Sequence, residues 1–259
     1  AEVELPRSKR RVRTVALFNE RDKKWWRNGA QDIADAIYYL SLYIGDYPYS
    51  QCTAVDGALS AGAGMEYPMI TVVAANSSAM LLRTVIVHEV AHNWFYGVLA
   101  NNERDYPWQD ESLVSYYERR VMEAINQKRK QKTGEVEKMD LAGYNIPFAG
   151  DGELMAARLL NLYAAGSNTD QPINDPSMAF PDFNYATIVY MKGMLTFRFL
   201  ESYLGQEVFD RCMQTYFERR QFKHSYPEDM QAVFEDVSKQ SLDWFFNGYL
   251  GAARQIDYR

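Results

Sequence analysis

His88-Glu89-Val90-Ala91-His92 contains two of the three histidines in the chain and follows an apolar run that starts near Ser78. The run predicts a helix that continues to about Tyr96, with Ser77 or Ser78 as its N-cap. Residues four apart in a helix lie about 6 Å apart along the axis and about 40° apart around it, so both imidazoles project from one face. The pair is therefore predicted to bind one metal ion.

Glu111 follows His92 after a gap of eighteen residues and lies in the first turn of a second predicted helix, from about 109 to 131. Two histidines, one carboxylate and an open fourth position are the ligand arrangement of catalytic zinc, whereas structural zinc sites are closed. The sequence therefore predicts one zinc ion held by His88, His92 and Glu111, in a site for metal-assisted hydrolysis.

Two further carboxylates are predicted to serve this site. Zinc lowers the pKa of a bound water to about 7, and Glu89 lies where it can take the proton of that water as general base. Glu118 comes seven residues after Glu111, about two turns along the same helix face. It is expected either to orient a zinc-binding histidine through the other ring nitrogen or to be an exposed charge paired with Arg119 or Arg120.

Composition excludes several classes of protein. The chain has 259 residues, of which 47% are hydrophobic and 24% charged, as in an ordinary globular protein. A net charge of -6 argues against a nucleic-acid partner, which requires a basic face. No apolar run approaches the eighteen or so residues of a membrane span, so no transmembrane segment is expected. Cys52 and Cys212 are too far apart in sequence to form a cysteine zinc motif.

Periodicity predicts the order of the elements. Strands are expected at about 11–18, 52–55 and 69–73, and helices at about 22–44, 78–96, 109–131, 152–164, 186–204, 206–221, 227–240 and 242–250. This order indicates an α+β, helix-dominated fold, with a small sheet near the N-terminus followed by a helical half. We expect one catalytic domain, 1–259, with a sheet and metal-helix half at 1–107 and a mainly helical half at 108–259.

Several segments together resemble a known family. The run from His88 to Phe95, the eighteen-residue gap and Asp110-Glu111-Ser112 are similar to the gluzincin zinc aminopeptidases of the aminopeptidase N type, which include leukotriene hydrolase. Gly64-Met65-Glu66-Tyr67-Pro68 resembles the Gly-x-Met-Glu-Asn exopeptidase motif of that family, and Tyr190-Met191-Lys192-Gly193 resembles its Tyr-x-Lys-Gly motif. Leu242 to Phe246 resembles the close of its catalytic domain.

The resemblance implies a thermolysin-like catalytic domain that removes N-terminal residues from peptide substrates, with one zinc ion as cofactor. By position, Glu66 matches the glutamate that pairs with the free α-amine of the substrate. Tyr190 matches the tyrosine that donates a hydrogen bond to the oxyanion of the tetrahedral intermediate, and Tyr185 lies nearby. Backbone groups before Glu66 are expected to hold the peptide by strand addition; these are Gly62, Ala63, Gly64 and Met65.

The chain departs from the family in two respects. Tyr67 stands where the family has asparagine, so the side-chain preference is expected to differ. The β-domain that precedes the catalytic unit in the family, and the domain that follows it, have no counterpart in these residues, and the chain begins Ala-Glu-Val-Glu-Leu-Pro without a methionine or a leader. We therefore expect a processed or excised catalytic unit that cleaves peptides poorly when isolated.

Alternative functions remain open at this level. A zinc endopeptidase, or another zinc hydrolase on the same scaffold, would use the same metal chemistry, and Glu66 distinguishes it from an aminopeptidase. A non-catalytic interaction module would hold no zinc. The oligomeric state does not follow from the sequence. The compartment does not follow from the sequence either: members of the family are found both in the cytosol and outside it, and an exported bacterial protein, periplasmic or extracellular, is the preferred expectation.

Overall fold

The computed structural model describes residues 1–59, 64–74, 78–134, 138–141, 144–147 and 151–253, and for 138–141, 144–147 and 151–153 it describes the backbone alone. The chain divides into two compact units. Unit 1 comprises Ala1–Trp94 and Tyr117–Asp151, and unit 2 comprises Phe95–Tyr116 and Gly152–Arg259. The single domain with halves that meet at residue 107 stays a prediction.

A small mixed sheet lies in unit 1. Its strands in the described residues are β1 (Glu2–Glu4), β2 (Arg11–Leu17), β3 (Gln51–Asp56), β4 (Gly64–Met65) and β5 (Ile70–Val73). The order is β1-β2-β3-β5-β4, with β2, β3 and β5 parallel and the two edge strands antiparallel to their neighbours. In β2, Val12 and Thr14 are buried while Arg11 and Arg13 are exposed, which is the period of two that a half-buried strand requires.

The helices of unit 1 are α1 (Lys23–Trp26), α2 (Gly29–Tyr43), α3 (Ala79–Ala91) and the part of α4 (Glu111–Thr133) that follows Tyr116. The single helix predicted over 22–44 is wrong, because Arg27 and Asn28 form a turn between α1 and α2. Asn-Gly pairs favour turns. A Cβ on Gly29 would lie 3.1 Å from Ala16 and from Trp26, so glycine lets α2 begin close to β2 and to the fully buried Trp26.

A buried ion cluster joins three helices of unit 1. Asp32 on α2 accepts from Arg83 on α3 at 2.8 Å and from Arg129 on α4 at 3.2 Å. Burial raises the pKa of the Asp32 carboxyl, although both guanidinium groups oppose the shift. Breaking such a cluster at one partner typically costs about 3–5 kcal/mol, because a buried charge is left uncompensated. The cluster therefore fixes α3 against α4, the two helices on which His88 and Glu118 lie.

Unit 1 also contains a hairpin that periodicity does not predict, formed by β6 (Lys138–Leu141) and β7 (Tyr144–Pro147). Unit 2 is helical in its described residues, with α5 (Asp151–Gly166), α6 (Asp182–Asn184), α7 (Gly193–Leu204), α8 (Gln206–Arg220) and α9 (Pro227–Ser238). Its core is rich in fully buried aromatic side chains, among them Trp108, Phe197, Phe209, Phe234 and Phe245. Within the described residues, every helix is too short or too polar to cross a membrane.

Candidate active site

The histidine pair lies at the C-terminal end of α3 in unit 1, with His92 as the C-cap. The predicted continuation of this helix to Tyr96 is wrong, because Phe95 and Tyr96 have non-helical backbone angles. Ser78 begins the helix as predicted, since its side chain accepts from the Leu81 N–H at 3.0 Å; Ser77 lies outside the described residues. The ring centroids of His88 and His92 are 5.0 Å apart. Both imidazoles therefore lie on one helix face, as the spacing of four residues predicts.

Glu118 contacts the first of these histidines. Its Oε2 lies 2.8 Å from Nδ1 of His88, and both side chains are largely buried. Arg119, which the sequence left open as a partner of Glu118, pairs with Glu123. A carboxylate at Nδ1 holds the proton on that nitrogen and leaves Nε2 as the ligand atom, as in the carboxylate–histidine–zinc arrangement of metalloenzymes.

A second group of side chains in unit 1 adjoins the histidines. Glu66, Glu89 and His92 each offer one ligand atom, and these atoms lie within 4.8 Å of one another. Glu89 is 5% exposed, and its carboxylate lies so close to β4 that a Cβ on Gly64 would overlap it. Glycine is therefore required at residue 64 if Glu89 is to keep this position.

The predicted peptide-binding backbone is described in part. Gly64 and Met65 form β4, where they pair with Val73 and Val72 of β5 at an edge of the sheet. Gly62 and Ala63 lie outside the described residues. A short edge strand next to Glu66 has the backbone groups that strand addition uses.

In unit 2, Glu111 and Tyr190 lie together. Glu111 is the first residue of α4, and its Oε1 accepts a hydrogen bond from the Tyr190 hydroxyl at 2.5 Å. Burial, reinforced by the Glu111 carboxylate, raises the pKa of the Tyr190 phenol well above its usual range. The ring of Tyr185 packs edge-on against Tyr190 with centroids 5.7 Å apart. Tyr190 is therefore held as a protonated donor.

A second contact in unit 2 fixes the segment that contains Tyr190. Residues Tyr185–Lys192 form a π-helix, in which the Gly193 N–H bonds to the Ile188 carbonyl. The hydroxyl of Ser112, next to Glu111, donates to the carbonyl of Val189 at 2.5 Å. A Cβ on Gly193 would overlap the Ser112 side chain. The glycine of the Tyr-x-Lys-Gly motif thus allows the first turn of α4 to approach the tyrosine.

Two polar residues, one in each unit, have no role in the sequence-based prediction. These are Asn93 in unit 1, directly after His92, and Ser112 in unit 2, directly after Glu111. Both are almost fully buried. Buried polar side chains are expected to have defined partners, but Ser112 contacts Val189 and Asn93 contacts Met69 across tens of residues, so no local pattern identifies these contacts.

The donor set fits zinc. The described residues around α3 contribute two imidazoles on successive turns, one with a carboxylate at its second nitrogen, and no cysteine lies among them. Nitrogen and oxygen donors with a supporting carboxylate are typical of catalytic zinc. In unit 2, Glu111 offers a carboxylate whose position is fixed by the hydrogen bond from Tyr190.

Residues 37–249 match the family described as "Peptidase family M1 domain". Leucine aminopeptidase 2 of Kluyveromyces lactis is 28% identical over 266 residues, which cover 92% of this chain and 35% of the relative. Aminopeptidase N of Lactococcus lactis is 25% identical over 200 residues, covering 74% of this chain and 22% of the relative.

Two solved structures were compared with the chain. The M1 zinc metallopeptidase from Deinococcus radiodurans superimposes with a TM-score of 0.65 at 14% identity, covering 99% of this chain and 51% of that one. A mutant of the same enzyme, bound to a Tyr-Ser-Ala substrate, gives a TM-score of 0.67 at 14% identity, covering 99% of this chain and 52% of that one.

At this identity the likeness to solved structures concerns the fold, and it confirms the predicted helix-dominated α+β architecture. The chain spans about half the length of those structures and 30% of a leucine aminopeptidase 2-2 that it also matches. The family description covers most of the chain, including every described site residue, and it confirms the resemblance seen in the motifs. The chain belongs to peptidase family M1.

Proposed function

We propose that this chain is the catalytic unit of a zinc-dependent aminopeptidase, which hydrolyses the first peptide bond of a peptide substrate. The names of its relatives support this activity, as does the peptide substrate bound by one structural neighbour. The observation of most weight is the position of Glu66, whose carboxylate lies beside Glu89 and His92. The Glu66 carboxylate, next to that of Glu89, can bind a positively charged group of the substrate, such as its α-ammonium.

In this proposal, His88, His92 and Glu111 would hold one zinc ion. When bound, zinc supplies Lewis-acid activation of a water molecule and of the scissile carbonyl. Glu118 accepts the Nδ1–H of His88 and so keeps that imidazole in the tautomer that presents Nε2. Outer carboxylates of this kind typically contribute about 10- to 100-fold in metal affinity or activity.

Glu89 acts as general base and then as general acid. Glu89 follows His88 directly on α3, and its carboxylate lies near the His92 ring. The carboxylate removes a proton from the attacking water and returns that proton to the leaving amine. General acid–base catalysis by a positioned side chain contributes typically about 10²–10⁴-fold.

Tyr190 donates a hydrogen bond to the oxyanion that forms on the substrate carbonyl. The phenol is half-buried and protonated, and its single O–H proton is donated to Glu111 in this structure. The hydroxyl would turn from Glu111 to the substrate oxygen when Glu111 binds the metal, and removing one oxyanion donor costs about 10²–10³-fold in rate.

Glu66 binds the free α-ammonium group of the substrate. A charge-assisted hydrogen bond between carboxylate and ammonium is among the strong polar contacts in proteins. A peptide with a blocked N-terminus, or an internal segment of a longer chain, lacks this cation and would not form the contact with Glu66. The preference for free N-termini follows from the loss of this contact.

Substrate selectivity of the full-length protein tests the proposal. We expect rapid hydrolysis of L-leucine para-nitroanilide and at least a hundredfold slower hydrolysis of its N-acetyl derivative. Glu66→Ala should lower kcat/KM for the free-amine substrate by roughly 30- to 5,000-fold, because truncating one partner of the charge pair that Glu66 forms with the bound substrate costs about 2–5 kcal/mol. Glu207→Ala, at an exposed glutamate, is the matched control and should leave the rate unchanged.

Equal hydrolysis of the free and acetylated substrates would contradict aminopeptidase specificity and favour an endopeptidase. Zinc-dependent cleavage of a different bond, with both anilides intact, would favour another hydrolase on this scaffold. A folded protein that binds no zinc would favour a non-catalytic interaction module.

A further inference from the structure

Asn93 is a buried polar residue that the proposed mechanism does not use. It follows His92 directly and is 2% exposed. Its Nδ2 donates to the carbonyl of Val90 at 3.0 Å, and its Oδ1 accepts the backbone N–H of Met69 at 2.8 Å. Oδ1 also accepts from the Tyr47 hydroxyl at 3.3 Å. Because Met69 N–H can only donate and Val90 C=O can only accept, the orientation of the amide is unambiguous.

The Met69 end of these contacts belongs to the loop that contains Glu66. Residues 66–69 connect β4 to β5, which pair as an antiparallel hairpin. Met69 has a φ of 65°, in the left-handed region where a non-glycine residue is uncommon. Its carbonyl accepts the Thr53 N–H at 2.8 Å, so both the N–H and the carbonyl of Met69 are hydrogen-bonded. Such a conformation persists only when its surroundings determine it.

The other end of the loop is also held. The Thr71 hydroxyl donates to the Met65 carbonyl at 2.7 Å. Glu66 therefore lies between two fixed points, Met65 and Met69. Met69 is hydrogen-bonded to the Asn93 side chain, which also donates to the Val90 carbonyl near the end of α3. One amide thus connects the helix of Glu89 and His92 to the loop of Glu66.

We propose that Asn93 is a positioning residue that sets the distance of Glu66 from Glu89 and His92, and through it the selectivity for a free N-terminal amine. This inference rests on the proposed aminopeptidase function. Asn93 does not touch the substrate, and it acts only by holding the loop at Met69. Loss of Asn93 should therefore weaken amine recognition and leave the chemistry at the metal site largely intact.

Kinetics of the full-length protein with the two leucine anilides test the inference. For Asn93→Ala we expect KM for the free-amine substrate to rise about tenfold, with kcat within about threefold, which is the size of typical coupling between residues in one network. The discrimination against the acetylated substrate should fall by a similar factor. Bound zinc should equal that of the wild type, and Asn247→Ala, at an exposed asparagine, should change nothing.

A double-mutant cycle separates positioning from a general structural role. If Asn93 acts through Glu66, Asn93→Ala should have almost no further effect on KM in the Glu66→Ala background. Equal effects in both backgrounds, or a loss confined to kcat, would overturn the inference. If Asn93→Ala does not fold, Asn93→Leu replaces it in the cycle, because leucine is close to asparagine in size and removes the oxygen that accepts from the Met69 N–H.

Failure of this inference differs from failure of the proposed function. An unchanged rate in Glu66→Ala alone would overturn amine recognition by Glu66, whatever Asn93 does. A large effect of Glu66→Ala with a normal KM in the Asn93 variant would leave the aminopeptidase function standing and overturn the role of Asn93.

Discussion

Replacing Glu89 with glutamine is expected to remove nearly all peptide hydrolysis while zinc stays bound. Glutamine has almost the same shape as glutamate but cannot take a proton from water at neutral pH. The expected loss in kcat is about 10²–10⁴-fold, the range that a positioned general base contributes. The measurement is kcat and KM for L-leucine para-nitroanilide, with zinc content determined on the same samples.

The surroundings of Glu89 should accommodate glutamine without a change in packing. Glu89 is 5% exposed and lies against the backbone of Gly64, where the isosteric amide fits the same space. Zinc content should remain at the wild-type level because Glu89 is not among the proposed ligands. Glu207→Gln, on the surface of unit 2, controls for loss of a negative charge. Activity that survives Glu89→Gln would contradict the mechanism.

The second large effect is expected from Tyr190→Phe. Removing one oxyanion donor should lower kcat by about 10²–10³-fold. KM should change little, because the hydrogen bond strengthens only as charge develops in the transition state. The raised pKa of the phenol means that Tyr190 remains a donor over the neutral and mildly alkaline range, so its ionisation should not appear in the pH–rate profile there.

Tyr185→Phe is the matched control for Tyr190→Phe. Tyr185 packs against Tyr190 in the same π-helical segment, and a phenylalanine keeps that ring contact. Its kcat should stay within a few-fold of the wild type. A similar loss in both variants would indicate disturbance of the π-helix rather than loss of an oxyanion donor, and a normal rate in Tyr190→Phe would contradict the role proposed for the residue.

Local patterns in the sequence predicted the elements on which the site is built. The helix that contains His88 and His92 begins at Ser78 and places both rings on one face, because helix capping and the period of 3.6 residues are local properties. Glu118 could be singled out because it lies two turns beyond Glu111 on one helix. The choice between its two expected partners needed the structure, in which it contacts His88.

The contacts that fix the functional groups could not be predicted in this way. Ser112 bonds Val189 across 77 residues of sequence, and Asn93 bonds Met69 across 24 residues. The sequence pattern at Tyr185–Lys192 predicts an ordinary α-helix, whereas the structure has a π-helix there. Over one or two turns, the spacing of apolar residues does not distinguish i+5 from i+4 hydrogen bonding. The β6–β7 hairpin was not predicted because its alternation of polar and apolar residues extends over only four residues in each strand, Lys138–Leu141 and Tyr144–Pro147.

Zinc binding by the purified full-length protein is the most direct test of the central claim. Equilibrium dialysis against zinc, followed by elemental analysis, should give one ion per chain for the wild type. Parallel samples of His88→Ala, His92→Ala and Glu111→Ala should each lose most of this zinc while remaining folded by circular dichroism. A folded wild type without zinc, or three variants that retain one ion per chain, would contradict the claim that these residues form a catalytic metal site.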